Sequence, residues 1–161
     1  MFYLDLFRAL DRHHVQYLLI GGLAVSLHGV ERATMDVDIT VAMTPENLAA
    51  LTGMAEELGL LPVLPVPLQS LQNLDVLRQW HAERHLAAFA LRTPELAGVT
   101  MDILLFPPVE FFTMLPHAVV LDVAGVDVRV ASIDDLIALK QAVGRPIDIA
   151  DIEHLRRIQS S

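Results

Sequence analysis

Asp36 and Asp38 stand one residue apart in the run Thr34-Met35-Asp36-Val37-Asp38-Ile39-Thr40. Alternate residues of a strand point to the same face. A strand over residues 34–42 would project Asp36 and Asp38 together, beside Thr34 and Thr40, and turn Met35, Val37, Ile39 and Val41 into the core. Neighbouring carboxylates repel each other and resist desolvation unless a cation or a proton joins them. A hard divalent ion with oxygen ligands, Mg²⁺ or Mn²⁺, is the usual partner.

Three further features bear on the same chemistry. Gly21-Gly22 follows the apolar run 15–20 and precedes a short helical stretch. Glycine at such a junction lets the backbone approach a ligand, and the unpaired N–H groups of a helix start suit an anion such as phosphate. Asp102, in Thr100-Met101-Asp102-Ile103-Leu104-Leu105, is a single acid in an apolar strand. It reads either as a solvated strand-edge residue or as a third corner beside Asp36 and Asp38. Of eleven basic residues, ten are arginine and one, Lys140, is lysine. A compact ammonium differs from a guanidinium in what it can neutralise, so Lys140 is either a placed point cation or one survivor of a drift to arginine.

The elements that must hold these residues follow from periodicity and turn chemistry. Helices are expected over residues 3–13, 23–28, 46–58, 70–84, 108–115 and 133–143, with a last one capped by Asp148 and running through residue 158. Thr44-Pro45 and Ser132 are start signals, and Gly29, Gly59 and Gly144 are stops. Strands are expected over residues 15–20, 34–42, 85–92 and 99–106, with 119–123 and 126–130 forming a hairpin around Ala124-Gly125. Residues 61–68 carry three prolines and read as edge-like. The result is an α/β (or α+β) fold, a mixed central sheet flanked by helices, in a single domain over residues 1–161. Its core covers about 1–131 and a C-terminal helical pair about 132–159.

Bulk properties narrow the function classes. A chain of 161 residues can bury a real core. The absence of cysteine excludes disulfides, thiolate metal sites and a cysteine nucleophile. The start has no signal-peptide pattern, and the apolar stretches 17–25 and 58–68 fall short of the roughly 18 residues of a membrane span. A soluble, cytoplasmic protein is expected. A net charge of −9 and no basic run argue against non-specific nucleic-acid binding. The mean hydropathy of +0.47 hints at self-association through an apolar patch.

The run from Leu18 to Ile39 resembles the nucleotidyltransferase superfamily, the DNA polymerase β-like fold. Its pattern is a glycine followed by glycine or serine, a spacer of about a dozen residues, then Asp-hydrophobic-Asp or Glu. A third carboxylate follows on a later strand, here falling on Asp102. The placing of Ala24, His28-Gly29, Arg32 and Thr34, with Lys140, Gly144-Arg145-Pro146, Asp148 and Asp151, is similar to a small bacterial branch that includes AbiEii-type toxins. The resemblance implies that Asp36 and Asp38 ligate Mg²⁺ (or Mn²⁺) carried by a nucleoside triphosphate. It implies that Asp102 completes a two-metal arrangement and helps activate an acceptor hydroxyl. Gly21 and Gly22 would hold the β- and γ-phosphates, and Lys140 and Arg32 would offset their charge. The implied partners are an NTP donor and an acceptor that is a small molecule, a protein or RNA, with a homo-oligomer or a cognate partner protein as further possibilities. Two departures stand out. Much of the superfamily has serine where this chain has Gly22, and only residues 133–158 follow the core, so an acceptor site is not visible.

Two rival readings share the acidic pair. One is a non-catalytic partner protein on the same fold, such as a toxin–antitoxin component. The other is a metal-dependent phosphohydrolase. Among weaker signals, His81 and His85 read as a solvated helix end rather than metal ligands, and His28 as a helix C-terminal group rather than a base. Trp80, Phe111 and Phe112 read as core. Asp148 and Asp151 read as capping and decorating the last helix, with contact to Lys140 as the alternative, and Arg145 could pair with one of them.

Overall fold

The structure, a computed structural model, describes residues 2–34, 36–95 and 98–161. The chain opens with α1 (Phe2–Arg12), β1 (Tyr17–Ile20) and α2 (Gly21–Leu27), followed by β2 (Val37–Val41), α3 (Pro45–Glu57) and the two-residue β3 (Leu61–Pro62). A 3₁₀ turn (Leu68–Gln72) leads into α4 (Leu74–Arg84), β4 (Ala88–Arg92), β5 (Thr100–Leu104), the single-turn α5 (Phe111–Met114) and a second 3₁₀ turn (Leu115–His117). The hairpin β6 (Val119–Val123) and β7 (Val126–Val130) precedes α6 (Ile133–Val143) and α7 (Pro146–Gln159).

The seven strands form one mixed sheet in the order β3-β4-β5-β2-β1-β7-β6. β2 runs parallel to β5, and β1 parallel to β7, while the other neighbours are antiparallel. β1 lies inside the sheet and every residue of it is buried, the pattern expected when both faces are covered. β7 alternates buried and exposed residues, and β6 and β3 form the edges. β3 is two residues long and ends at Pro62, which blunts the edge because proline offers no ladder N–H. No helix among the described residues is long and apolar enough to cross a membrane.

Local signals explain the element ends. Thr44 caps α3 by accepting from the Asn47 N–H at 3.2 Å, with Pro45 at the first helical position. Ser132 caps α6 by accepting from the Asp135 N–H at 3.1 Å, and Gly144 closes that helix at φ 72°. The β6–β7 turn places both Ala124 (φ 51°) and Gly125 (φ 83°) in the left-handed region, as a two-residue hairpin of this hand requires. Asn73 splits the expected 70–84 helix in two, since its side chain accepts from the Val76 N–H at 3.1 Å and starts α4 afresh.

Three expectations need correction. The acidic strand is shorter than 34–42: β2 begins at Val37, so Asp36 lies just ahead of it and is exposed. Met35, expected in the core, lies outside the described residues. The last helix begins at Pro146, and Asp148 sits within its first turn rather than before it. Phe112, read as core, is 54% exposed, whereas Phe111 is buried.

Asn47 binds the sheet to α3. Its Oδ1 accepts from the Gln16 N–H at 2.7 Å, and its Nδ2 donates to the carbonyls of Gln16 (3.0 Å) and Ala42 (2.9 Å). Asn47→Ala strands those backbone groups in a buried place, so a loss of about 3 kcal/mol is expected. Thermal denaturation checks this, and a loss below about 1 kcal/mol would show that water replaces the amide.

Candidate active site

The register of three neighbouring strands builds the acidic side of the site. Asp38 pairs with Ile20 across β1 and with Asp102 across the parallel β5. Residues in register on adjacent strands share a face, so the carboxyls of Asp38 and Asp102 meet. Asp38 is pushed up to about 6 by burial, with the charge of Asp102, a hydrogen bond to it and the charge of Asp36 adding to the shift. Asp102 is also raised, by burial first and then by Asp36, while its bond with Asp38 works the other way. Burial and the neighbouring acids thus make the charged form costly for both carboxyls. Asp36 acts on both through space. Among the described residues, no three His, Asp or Glu side chains converge tightly enough to hold a metal ion.

The same register explains the glycine pair. Ile20 faces Asp38, so the next residue lies against the Asp38 carboxyl. A Cβ placed on Gly21 would overlap Asp38 Oδ2 and stand 2.8 Å from its Cβ and Cγ, and Gly21 has φ 75°. Both space and conformation require glycine there. The helix starts directly at Gly21, with no separate turn.

The basic side comes from the C-terminal helices and the loop before β2. Lys140 is buried on α6, with Nζ 3.0 Å from Asp151 Oδ2 and 3.6 Å from Asp148 Oδ1. Arg32 Nε lies 3.3 Å from Asp151 Oδ1. Arg145 Nε lies 2.8 Å from Asp148 Oδ2, whose carboxyl also accepts from the Arg145 backbone N–H at 3.1 Å. The Arg145 guanidinium holds Asp148 below the usual carboxylate range. Asp151 Oδ2 makes no aligned hydrogen bond, so its contact with Lys140 is ionic rather than directional. Three cations thus share two carboxylates, and one positive charge is left over.

These two sides line one cavity of about 490 Å³, which also takes in Gly21, Gly22, Thr34 and Asp36. That is within the range of about 300–1,000 Å³ typical of small-ligand sites. Leu136, Leu139, Lys140 and Val143 recur at helical spacing along α6 and, with Leu104 and Ile20, make an aliphatic wall. All seven residues singled out from the sequence, Gly21, Gly22, Arg32, Asp36, Asp38, Asp102 and Lys140, line this cavity. Arg145 and Asp148 line it as well, and Asp151 stands behind Arg32 and Lys140. The sequence signal for the last pair is their spacing. Asp148 and Asp151 are three apart and share the inward face of α7 with Ile152 and Leu155, all of them buried.

The remaining candidates lie elsewhere. His85 ends α4 in the left-handed conformation and is exposed, while His81 Nδ1 donates to the Leu86 carbonyl at 2.9 Å. His28 Nε2 donates to the Ala131 carbonyl at 2.8 Å, tying the end of α2 to the segment that leads into α6.

Several solved structures share the fold. An antigenic nucleotidyltransferase-like protein from Paracoccidioides brasiliensis aligns with a TM-score of 0.60 at 20% identity, over 94% of this chain and 72% of its own. ANT(2″)-Ia, in complex with adenylyl-2″-tobramycin, aligns at 0.58 and 15% identity, over 99% and 94%. The lincosamide antibiotic adenylyltransferase LnuA, bound to lincomycin, aligns at 0.58 and 16% identity, over 98% and 94%. No curated protein matches the chain in sequence. Residues 4–160 match the family described as nucleotidyltransferase of unknown function (DUF6036), so nearly the whole chain, with the acidic pair and the C-terminal cations inside it, belongs to that family.

Proposed function

We propose that the protein transfers a nucleoside monophosphate group from a nucleoside triphosphate to an acceptor hydroxyl, with a divalent ion, Mg²⁺ or Mn²⁺, at the acidic side. The carrying observation is one cavity lined by Asp36, Asp38 and Asp102 together with Arg32, Lys140, Arg145, Gly21 and Gly22. The donor set is all oxygen, and burial beside Asp102 and Asp36 makes the Asp38 charge costly without a cation, so these carboxylates would supply part of a hard ion's oxygen shell. When bound, that ion offsets negative charge on the donor's phosphate oxygens.

The chain's own groups then divide the work. Gly21 and Gly22 let the Asp38 carboxyl and the Arg32 guanidinium lie close over the backbone at the site. Arg32, Lys140 and Arg145 offset the charge of the leaving pyrophosphate. The aliphatic wall of Leu104, Leu136, Leu139 and Val143 receives the base by apolar contact. Asp102 accepts the proton of the acceptor hydroxyl. The hydroxyl oxygen forms a bond to the α-phosphorus, the bond from that phosphorus to the β-bridging oxygen breaks, and pyrophosphate departs with its electron pair.

The test is equilibrium binding of ATP, GTP, CTP and UTP with Mg²⁺ to the wild type and to Asp36→Ala/Asp38→Ala, paired with α-labelled NTP incubation in lysate. Binding by the wild type, loss of at least about tenfold in affinity in the double variant and label appearing on an acceptor are expected. Failure of all four nucleotides to bind, or normal turnover by the double variant, would overturn the proposal.

A further inference from the structure

Gly22 differs from Gly21 in what its missing side chain makes room for. It does not lie in the left-handed region, so conformation does not call for glycine there. Space does. A Cβ on Gly22 would overlap Arg32 Nη1, stand 2.9 Å from Arg32 Cζ and 3.2 Å from Thr34 Oγ1. The place of a side chain at residue 22 is thus taken by the guanidinium of residue 32.

Arg32 is fastened at both ends. Its carbonyl accepts from Ser26 Oγ at 2.9 Å, a hydroxyl that also lies 3.2 Å from the Gly22 carbonyl. Its Nε faces Asp151 Oδ1 at 3.3 Å, and Asp151 is itself buried and held against Lys140. The anchor uses Nε, while Nη1 lies over Gly22 in the cavity wall. A guanidinium so placed is preorganised to bind oxyanions through its remaining N–H groups.

We infer that Gly22 and Arg32 form a matched pair: the missing side chain at residue 22 admits the Arg32 guanidinium over the backbone, where its Nη groups donate to the triphosphate, with Asp151 as the positioning residue. This rests on the proposed nucleotide site. It assigns to one side chain a contact that depends on α2, the loop before β2 and α7 together.

A double-mutant cycle tests the pairing. The wild type, Gly22→Ala, Arg32→Ala and Gly22→Ala/Arg32→Ala are compared by equilibrium binding of the tightest of the four NTPs with Mg²⁺, and by thermal denaturation. Each single change is expected to weaken nucleotide binding by roughly 10- to 100-fold. The double variant should lose little more than Arg32→Ala alone, because the guanidinium the added methyl group would displace is gone and only the 3.2 Å approach to Thr34 Oγ1 remains. The melting temperature should show the same non-additivity. Asp151→Asn keeps a weaker acceptor for Nε and should fall between the wild type and Arg32→Ala in affinity. Unchanged binding by Gly22→Ala, additive losses in the double variant, or an Arg32→Ala protein that melts lower but binds normally would each overturn the inference. A wild type that binds no nucleotide overturns the nucleotide site itself, whereas a wild type that binds and an additive cycle overturn the pairing alone.

Discussion

Asp38→Asn is expected to lower the rate of transfer by about 10³-fold, a loss of about 4 kcal/mol of transition-state stabilisation, while making the ion-free protein more stable above pH 6. The opposed signs share one cause. In the folded protein Asp38 is pushed up to about 6, by burial first and by Asp102 and Asp36 next. The unfolded chain releases that proton near pH 4. Between these values the folded state holds a proton that the unfolded state lacks, so the Asp38 contribution is fully present below about pH 4 and is lost as pH rises through about 6. Above that, two ionised carboxyls face each other at the cost of stability.

Asparagine keeps the shape and removes the charge. The stability of Asp38→Asn relative to wild type should therefore change little at pH 4 and rise by about 2 kcal/mol at pH 8, a gain of roughly 4–8 °C in melting temperature. Saturating Mg²⁺ should reverse the order at pH 8, because it stabilises a state that only the wild type binds well. Melting curves at both pH values, with and without Mg²⁺, decide the matter. A variant no more stable than wild type at pH 8 would mean that the two carboxyls do not repel in the folded protein.

Asp151→Ala is expected to cost about 3–5 kcal/mol and to cripple nucleotide binding. Asp151 is 3% exposed at its side chain and faces both Lys140, itself 9% exposed, and Arg32. Its removal leaves the buried ammonium with Asp148 alone at 3.6 Å, and that carboxylate is already engaged by Arg145 at 2.8 Å. A buried charge stripped of its partner costs more than the pair was worth, whereas an apolar replacement of both partners can be neutral. Lys140→Met/Asp151→Leu should therefore regain most of the stability lost in Asp151→Ala, yet still bind nucleotide at least about tenfold more weakly than wild type. Should the double replacement bind nucleotide normally, Lys140 would be a structural ion and not a ligand-facing one. Two carboxylates stand beside this ammonium before any phosphate arrives, so its charge is shared rather than free, and the excess belongs to Lys140, Arg32 and Arg145 together.

Much of the fold was legible because its signals are local. Thr44-Pro45 and Ser132 start helices by capping backbone N–H groups within the next turn, and the left-handed residues at Ala124-Gly125 and Gly144 end elements where they stand. The hairpin β6–β7 has the expected bounds. The errors have two origins, one local and one not. Asn73 ends one helical turn and begins another through its own side chain, a competition that apolar periodicity does not register. β2 starts late because strand length is set by pairing, which reaches back to Asp38 on β1 and to Val37 on β5.

The amino-acid sequence by itself determined which groups could line a site: an acidic pair at strand spacing, a glycine pair ahead of it, one lone lysine and a third acid far along the chain. Side-chain chemistry and short-range periodicity carry that much. Which groups touch was decided only by the tertiary structure. Asp102 meets Asp38 rather than Asp36 because the parallel register of β2 and β5 sets them opposite, and Asp36 falls outside the strand. Lys140 lies between Asp148 and Asp151 because α7 folds back along α6 with its acids inward. The Arg32 guanidinium lies where a side chain at residue 22 would stand because Asp151 on α7 holds it there. Each of these contacts joins segments remote in the chain, and the packing of sheet and helices, not any local preference, determines which of them meet.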